Sequence, residues 1–188
     1  MSPLAPGLLI AAPPLGDPNF ERSVVLVAAH NSEGAFGWVI NGEELMTMAE
    51  LLERTEMPNA LGARPRGMVR RGGPVGVEQV WLLYRTEDRP EGVEDQVDVG
   101  CGITASSSRK LLTLLREGRA PFPILGVAGY AGWGPDQLED EIGSGSWLPT
   151  DADASLLFEM DPAELWLKAY ERAGVTAMSF TTRVVGLA

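Results

Sequence analysis

Histidine and cysteine are nearly absent from this 188-residue chain, which has one of each, His30 and Cys101. One cysteine can neither close an internal disulfide nor build a cysteine zinc site, and a reducing compartment suits it best. With one histidine, any imidazole acting as base, acid or metal ligand has to be His30. Basic residues are also scarce, 15 Lys and Arg against 26 Asp and Glu, for a net charge of −11. Such a surface repels phosphate backbones, so direct nucleic-acid binding is not expected. The one local basic concentration, Arg64, Arg66, Arg70 and Arg71, reads as a solvated loop leading into a strand. Long apolar runs are missing too. Leu8 to Pro14 is too short to cross a bilayer, and the N-terminus lacks the basic start of a signal peptide. The expectation is a cytoplasmic protein without membrane insertion.

The length suits a single domain over residues 1–188, able to bury about 70% of the surface of its unfolded chain. Gly7 to Ala12 reads as a buried strand, followed by the turn-rich Pro13-Pro14-Leu15-Gly16-Asp17-Pro18-Asn19-Phe20. Ser23 to Ala29 and Ala35 to Ile40 read as an antiparallel pair joined through His30 to Gly34. Thr47 and Glu50 have capping-box spacing, which predicts a helix carrying Leu51 and Leu52 and ending before Pro58. Strands follow over Met68 to Arg71 and Gln79 to Arg85, around Gly72-Gly73-Pro74, a tight turn that lets backbones approach closely. Thr86 to Gln96 is the longest expected loop, and Val97 to Ile103 reads as a further strand. Ser106-Ser107-Ser108 starts a helix through Leu111, Leu112, Leu114 and Leu115, which Pro121 and Pro123 close off. Ile124 to Ala128 reads as a buried strand. Leu156 to Met160 fits either strand or helix, and Asp161-Pro162 opens a last helix with Trp166 facing inward.

The most informative stretch runs from Gly129 to Trp147, a short helix held between two tryptophans. Gly134 is placed to cap it and Pro135 to take its first position. Leu138 and Ile142 point into the core, and Gly143 or Gly145 ends the helix. Asp136, Glu139, Asp140 and Glu141 form an acidic outer face expected to meet water. No histidine lies near enough in sequence to complete a metal site there. Strands dominate the first half and helices follow single strands in the second, so the predicted class is α+β with a mixed, strongly bent sheet.

Ordered blocks carry a resemblance. They are Pro14-Leu15-Gly16-Asp17-Pro18-Asn19-Phe20 with Arg22-Ser23-Val24-Val25, then His30-Asn31 with Gly34-Ala35-Phe36-Gly37 and Ile40-Asn41. Gly72-Gly73-Pro74-Val75, Ser108-Arg109 and the Gly129 to Trp147 segment complete the set. Together they span nearly the whole chain, which resembles the YqgE/AlgH family of bacterial proteins. The resemblance implies a bifurcated sheet folded into a pseudo-barrel with flanking helices. It implies no common chemistry, and the family's link to transcriptional regulation is largely one of name. Three positions depart from the family pattern: Gly42-Glu43 where Lys-Pro often follows Ile-Asn, Tyr84 where His usually follows Leu, and Lys110 where Asp commonly follows Ser-Arg.

Two functional readings follow. In the first, Asp17, Asn19, Phe20, His30, Asn31 and Trp133 gather into one partly apolar groove, and with Arg109 they make a non-catalytic binding or regulatory module. Its ligand is a protein segment or small metabolite, and any effect on transcription is indirect. In the second, His30 works with Ser107 or Arg109 in a small hydrolase or anion-processing enzyme. Ser106 to Arg109 offer hydroxyls, amides and a guanidinium to an anion, although serine is also the ordinary helix cap. Cys101 pairs with His30 only if the fold joins them, and otherwise packs as a small apolar residue. Neither reading calls for a cofactor or metal.

Overall fold

The architecture follows from how the strands alternate their buried faces. A computed structural model describes residues 4–13, 15, 17–57 and 65–175. Pro14, Gly16, Pro58 and Arg64, used in the sequence reading, lie outside these residues. The strands are β1 (Gly7–Ala11), β2 (Val24–Asn31), β3 (Gly34–Val39), β4 (Glu44–Thr47), β5 (Met68–Arg71), β6 (Val75–Arg85), β7 (Gln96–Gly100), β8 (Ile103–Ser106), β9 (Ile124–Trp133) and β10 (Trp147–Thr150). The helices are α1 (Met48–Arg54), α2 (Arg109–Arg116), α3 (Gln137–Gly143), α4 (Ala154–Phe158) and α5 (Pro162–Arg172).

Eight strands follow the order β10-β1-β2-β3-β9-β6-β8-β7, every neighbouring pair antiparallel. The sheet curls into a half-barrel and brings β7 against β2. It forks at β9. Residues 131–133 of β9 pair with β3, while residues 126–128 run parallel to β5, which in turn carries β4. This mixed, bifurcated α+β sheet is the expected one.

The inside of the curl holds Leu8, Ile10, Leu26, Trp38, Leu83 and Ile103, closed off by Trp166 and Tyr170 of α5. Both of these side chains donate to the same carbonyl, Ala11 O, Trp166 from Nε1 at 2.8 Å and Tyr170 from its hydroxyl at 3.0 Å. The outer face splits in two. Helices α1 and α2 cover β5, β6 and the first half of β9 with Met48, Leu52, Leu111 and Leu115. Helix α3 covers β1, β2, β3 and the end of β9 through Leu138.

Local signals explain many element ends. Thr47 accepts from Glu50 N while the Glu50 carboxylate accepts from Thr47 N at 2.7 Å, so the capping box forms and α1 stops at Arg54. Those contacts with the Thr47 backbone and hydroxyl hold the Glu50 carboxyl below its usual range. Gly73 has φ +154, and a Cβ there would lie 2.1 Å from the Tyr130 carbonyl carbon, so the close approach expected at the glycine pair is real.

Several boundaries differ from the sequence reading. Val97 to Ile103 is two strands, β7 and β8, separated by a turn in which Cys101 has φ +49. Strand β6 starts at Val75, ahead of Gln79, and β4 and β10 were not anticipated. Of Leu156 to Met160, Leu156 to Phe158 is helix, the end of α4, and Glu159 and Met160 lie in the turn after it. Pro135 does not open α3. It occupies the second position of a turn closed by Gln137 N–H to Gly134 O at 3.2 Å, and Asp136 follows at φ 60, the type II pattern. Proline's fixed φ serves that turn as well as it would serve a first helical residue. Gly145, at φ +81, ends the helix.

Candidate functional site

Two places gather the residues singled out from sequence. The first is an aromatic corner outside β3 and β9. His30, Ala35 and Trp133 are cross-strand partners on β2, β3 and β9, which puts their side chains on one sheet face. Helix α3 lies over that face and grips it with two carboxylates. Glu139 Oε1 meets His30 Nε2 at 2.8 Å, and Glu141 Oε2 accepts from Trp133 Nε1 at 2.9 Å and from Trp147 Nε1 at 2.7 Å. The other Glu141 oxygen accepts from Gln137 Nε2 at 2.8 Å. Half of the acidic face expected to meet water is therefore bonded to side chains. The reason is tertiary: α3 is laid across the ends of three strands, β2, β9 and β10, whose imidazole and indole N–H groups need acceptors.

Phe20 packs on both indoles, with ring centroids 6.4 Å from Trp133 and 5.5 Å from Trp147. A cavity of about 320 Å³ beside them is lined by Asp17, Phe20, Trp133, Glu141 and Trp147 among others. Trp133 is only 6% exposed. The Asp17 carboxylate accepts from the backbone and side chain of Asn19, an Asx turn that shapes the entry loop. Asn19 faces a separate cavity with Arg22, Asn41 and Arg71. Asn31 ends β2, exposed at the β2–β3 turn, and its side chain accepts from Glu33 N at 2.8 Å. Of the expected groove, then, Asp17, Phe20 and Trp133 share a wall. Asn19, His30 and Asn31 do not join them.

His30 is locked. Its Nδ1 accepts the Leu4 amide at 3.1 Å, so Nε2 carries the proton and donates to Glu139. The Glu139 carboxyl lies below the ordinary range, first through its own backbone amide and then through the His30 ring.

The second place is a groove of about 760 Å³ on the other outer face, between α1 and α2. Leu45 and Met46 of β4, Leu51 of α1, Val80 and Leu82 of β6 and Leu112 of α2 give it an apolar floor and walls. Its rim carries Arg54, Thr55, Glu78, Gln79, Ser107 and Arg109. Ser106 Oγ accepts from Ser108 N at 3.1 Å and Ser108 Oγ from Lys110 N at 3.3 Å, so these two serines cap the helix. Ser107 and Arg109 remain exposed on the groove, and neither side chain hydrogen-bonds to a described residue. His30 takes no part in this lining, and both its ring nitrogens are engaged elsewhere. The structure thus brings His30 together with neither Ser107 nor Arg109.

Cys101 also stands apart from His30. Burial pushes its thiol up to about 11, with Asp153 and Asp98 adding to the rise, which disfavours a nucleophilic thiolate. Among the described residues no three of His, Cys, Asp and Glu cluster so as to hold a metal ion, and no helix is long and apolar enough to cross a membrane.

A family model described as AlgH-like matches residues 8–178. The chain belongs to the AlgH-like family. Among its AlgH-like relatives, a UPF0301 protein of Anaeromyxobacter dehalogenans (strain 2CP-C) is 40% identical over 182 residues, covering 94% of this chain and 91% of the relative. Another UPF0301 protein, from Idiomarina loihiensis, is 39% identical over 175 residues, covering 93% of each. The solution structure of the AlgH protein from Pseudomonas aeruginosa matches with a TM-score of 0.76 at 32% identity, covering 100% of this chain and 97% of that one. A crystal structure of a Corynebacterium diphtheriae protein matches with a TM-score of 0.68 at 23% identity, over 89% and 86% of the two chains, and likens the fold alone.

The groove was the half of the candidate site that sequence left dark. Ser107 and Arg109 were singled out, but Leu45, Met46, Val80 and Leu112 were not, since apolar residues at core spacing look the same whether a helix covers them or not.

Proposed function

We propose that this AlgH-like chain is a non-catalytic binding module whose ligand seat is the groove between α1 and α2. The observation that carries the reading is the lining: an apolar floor open to solvent, with two guanidiniums, Arg54 and Arg109, in no ion pair among the described residues. Apolar pockets with a few convergent polar groups are the ordinary form of ligand sites. The aromatic corner is architecture, because its polar groups are spent on one another. The groove's ligand is a protein segment or a small metabolite. With a net charge of −11, any influence on transcription runs through that occupant rather than through DNA contact.

The test is mass spectrometry of material retained by natively purified protein, compared with folded Arg109→Ala and Leu112→Asp variants. A metabolite or peptide held by wild type and lost from both variants is the expected result. Material held equally by all three would overturn the groove as the seat.

A further inference from the structure

We infer that the groove receives an extended, apolar and acidic peptide segment of a partner protein, added as a short strand to the free edge of β6 at Val80. This rests on the groove being the ligand seat. The edge is read from the register. Thr86 N donates to Gly102 O at 2.9 Å, so the Thr86 peptide faces the β8 side. The two-residue period of a strand turns Tyr84, Leu82 and Val80 the same way. From the opposite side, Val80 pairs with Ala128, whose carbonyl accepts Gly72 N at 2.7 Å and so points away from β6. Both lines aim the Val80 N–H and C=O away from β9.

Nothing in the described chain meets them there. Strand β8 pairs only with Leu82 to Arg85 and ends at Ser106. Continued antiparallel register would set Ser108 opposite Val80. Ser108 instead gives its N–H to Ser106 Oγ and its carbonyl to Leu111 N as α2 begins. The helix start therefore removes the strand that would have completed the ladder, and the vacated side opens on the groove.

An unpaired donor and acceptor beside apolar pockets is what strand addition uses: main-chain bonds supply affinity and alternate side chains supply specificity. The edge is weakly defended. Val75 and Val77 upstream are 42% and 52% exposed, and Glu78 is the one charge between residues 75 and 81. The register shift between Val75 and Val80 confines regular pairing to the neighbourhood of Val80, so the added strand is short. Its side chains find Met46, Leu51 and Leu112 below. Charge sets the occupant's sign. Among the charged residues lining the groove Arg54 and Arg109 outnumber Glu78, with Glu50 acting on Arg54 from one turn earlier in α1. A segment carrying carboxylates is therefore favoured at the guanidiniums, Arg109 above all, and held off Glu78.

The probes are heptapeptides selected from a random display library on the full-length protein, titrated into isotope-labelled protein. The expected peptides mix apolar and acidic residues and shift Val80, Thr55 and Leu112 resonances. N-methylating the peptide backbone one position at a time should cut affinity about tenfold or more at alternate positions and spare those between, because only every second amide faces β6. Arg109→Glu and Arg54→Glu should each weaken binding several-fold. Groove shifts with a flat N-methylation profile overturn strand addition and leave the groove reading standing. Unaltered affinity in the glutamate variants overturns the acidic occupant. Selected peptides that shift residues elsewhere overturn the inference and the groove together. Self-association abolished by Val77→Lys, with no peptide selected, replaces the partner protein by a second copy.

Discussion

Trp133 gives its indole N–H to the Glu141 carboxylate at 2.9 Å, tying the last residue of β9, the strand at the fork, to the helix that follows it. Trp147 adds a second bond to the same oxygen at 2.7 Å, so one acceptor serves two buried donors. Removing the acceptor orphans both. A buried donor left unsatisfied costs about 1–3 kcal/mol. Glu141→Ala is therefore expected to destabilise by about 2–4 kcal/mol in urea unfolding, and Glu141→Gln, which retains an acceptor oxygen, by clearly less. Equal losses for the two would mean that packing, not the shared bond, is what Glu141 supplies.

His30 and Glu139 make a second clasp, and its pH dependence has a definite sign. The Glu139 carboxyl is lowered from 4.5 in the folded state, so its contribution is fully present above that value and is lost as pH falls through the lowered one. Its own backbone amide is the larger cause and the His30 ring the second. His30→Phe should shrink the carboxyl shift without abolishing it, and should flatten stability against pH only below about 4.5. Carboxyl titration by NMR in both proteins checks this. A Glu139 shift unchanged by the substitution would remove His30 from the account.

Cys101 is expected to be slow toward thiol reagents. With the thiol near 11, only about one molecule in a thousand is thiolate at pH 8, against roughly a quarter for an unperturbed thiol. Iodoacetamide labelling should lag that of a free thiol by about two orders of magnitude until the chain unfolds. Labelling at the free-thiol rate in native buffer would place Cys101 in a different environment.

What sequence disclosed divides along a physical line. Thr47 with Glu50, Ser108 at the head of α2 and the Gly72-Gly73 pair were readable because caps and close approaches are settled within a few residues. Pro135 was misread because one fixed φ satisfies both a helix start and a turn, and only the left-handed Asp136 beside it decides. Glu141 was read as solvated because its partners come from β9 and β10, and β10 is a four-residue strand paired with β1 far away in sequence. The free edge at Val80 was hidden for the same reason, since an unpaired strand is known only once its neighbours are.

The most severe test of the interior concerns two tyrosines. Burial raises both Tyr84 and Tyr170 from 10.0 to about 12, with Arg89 partly offsetting the rise at Tyr84. A group raised on folding stabilises fully below its unfolded value and loses that contribution as pH climbs through the folded one. The window is therefore pH 10 to 12. Each tyrosine that stays protonated in the fold while ionised in the unfolded chain contributes a slope of about 1.4 kcal/mol per pH unit. Tyr84→Phe gives up the hydroxyl bond to Gln96 Oε1 at 2.6 Å and Tyr170→Phe the one to Ala11 O, for a loss of about 1 kcal/mol each at pH 7. Both variants should be less sensitive to alkali than wild type, so that the ranking reverses about one unit above pH 10. Urea unfolding at pH 7, 10 and 11.5 decides it: parallel losses at all three pH values would show that neither hydroxyl resists ionisation in the fold.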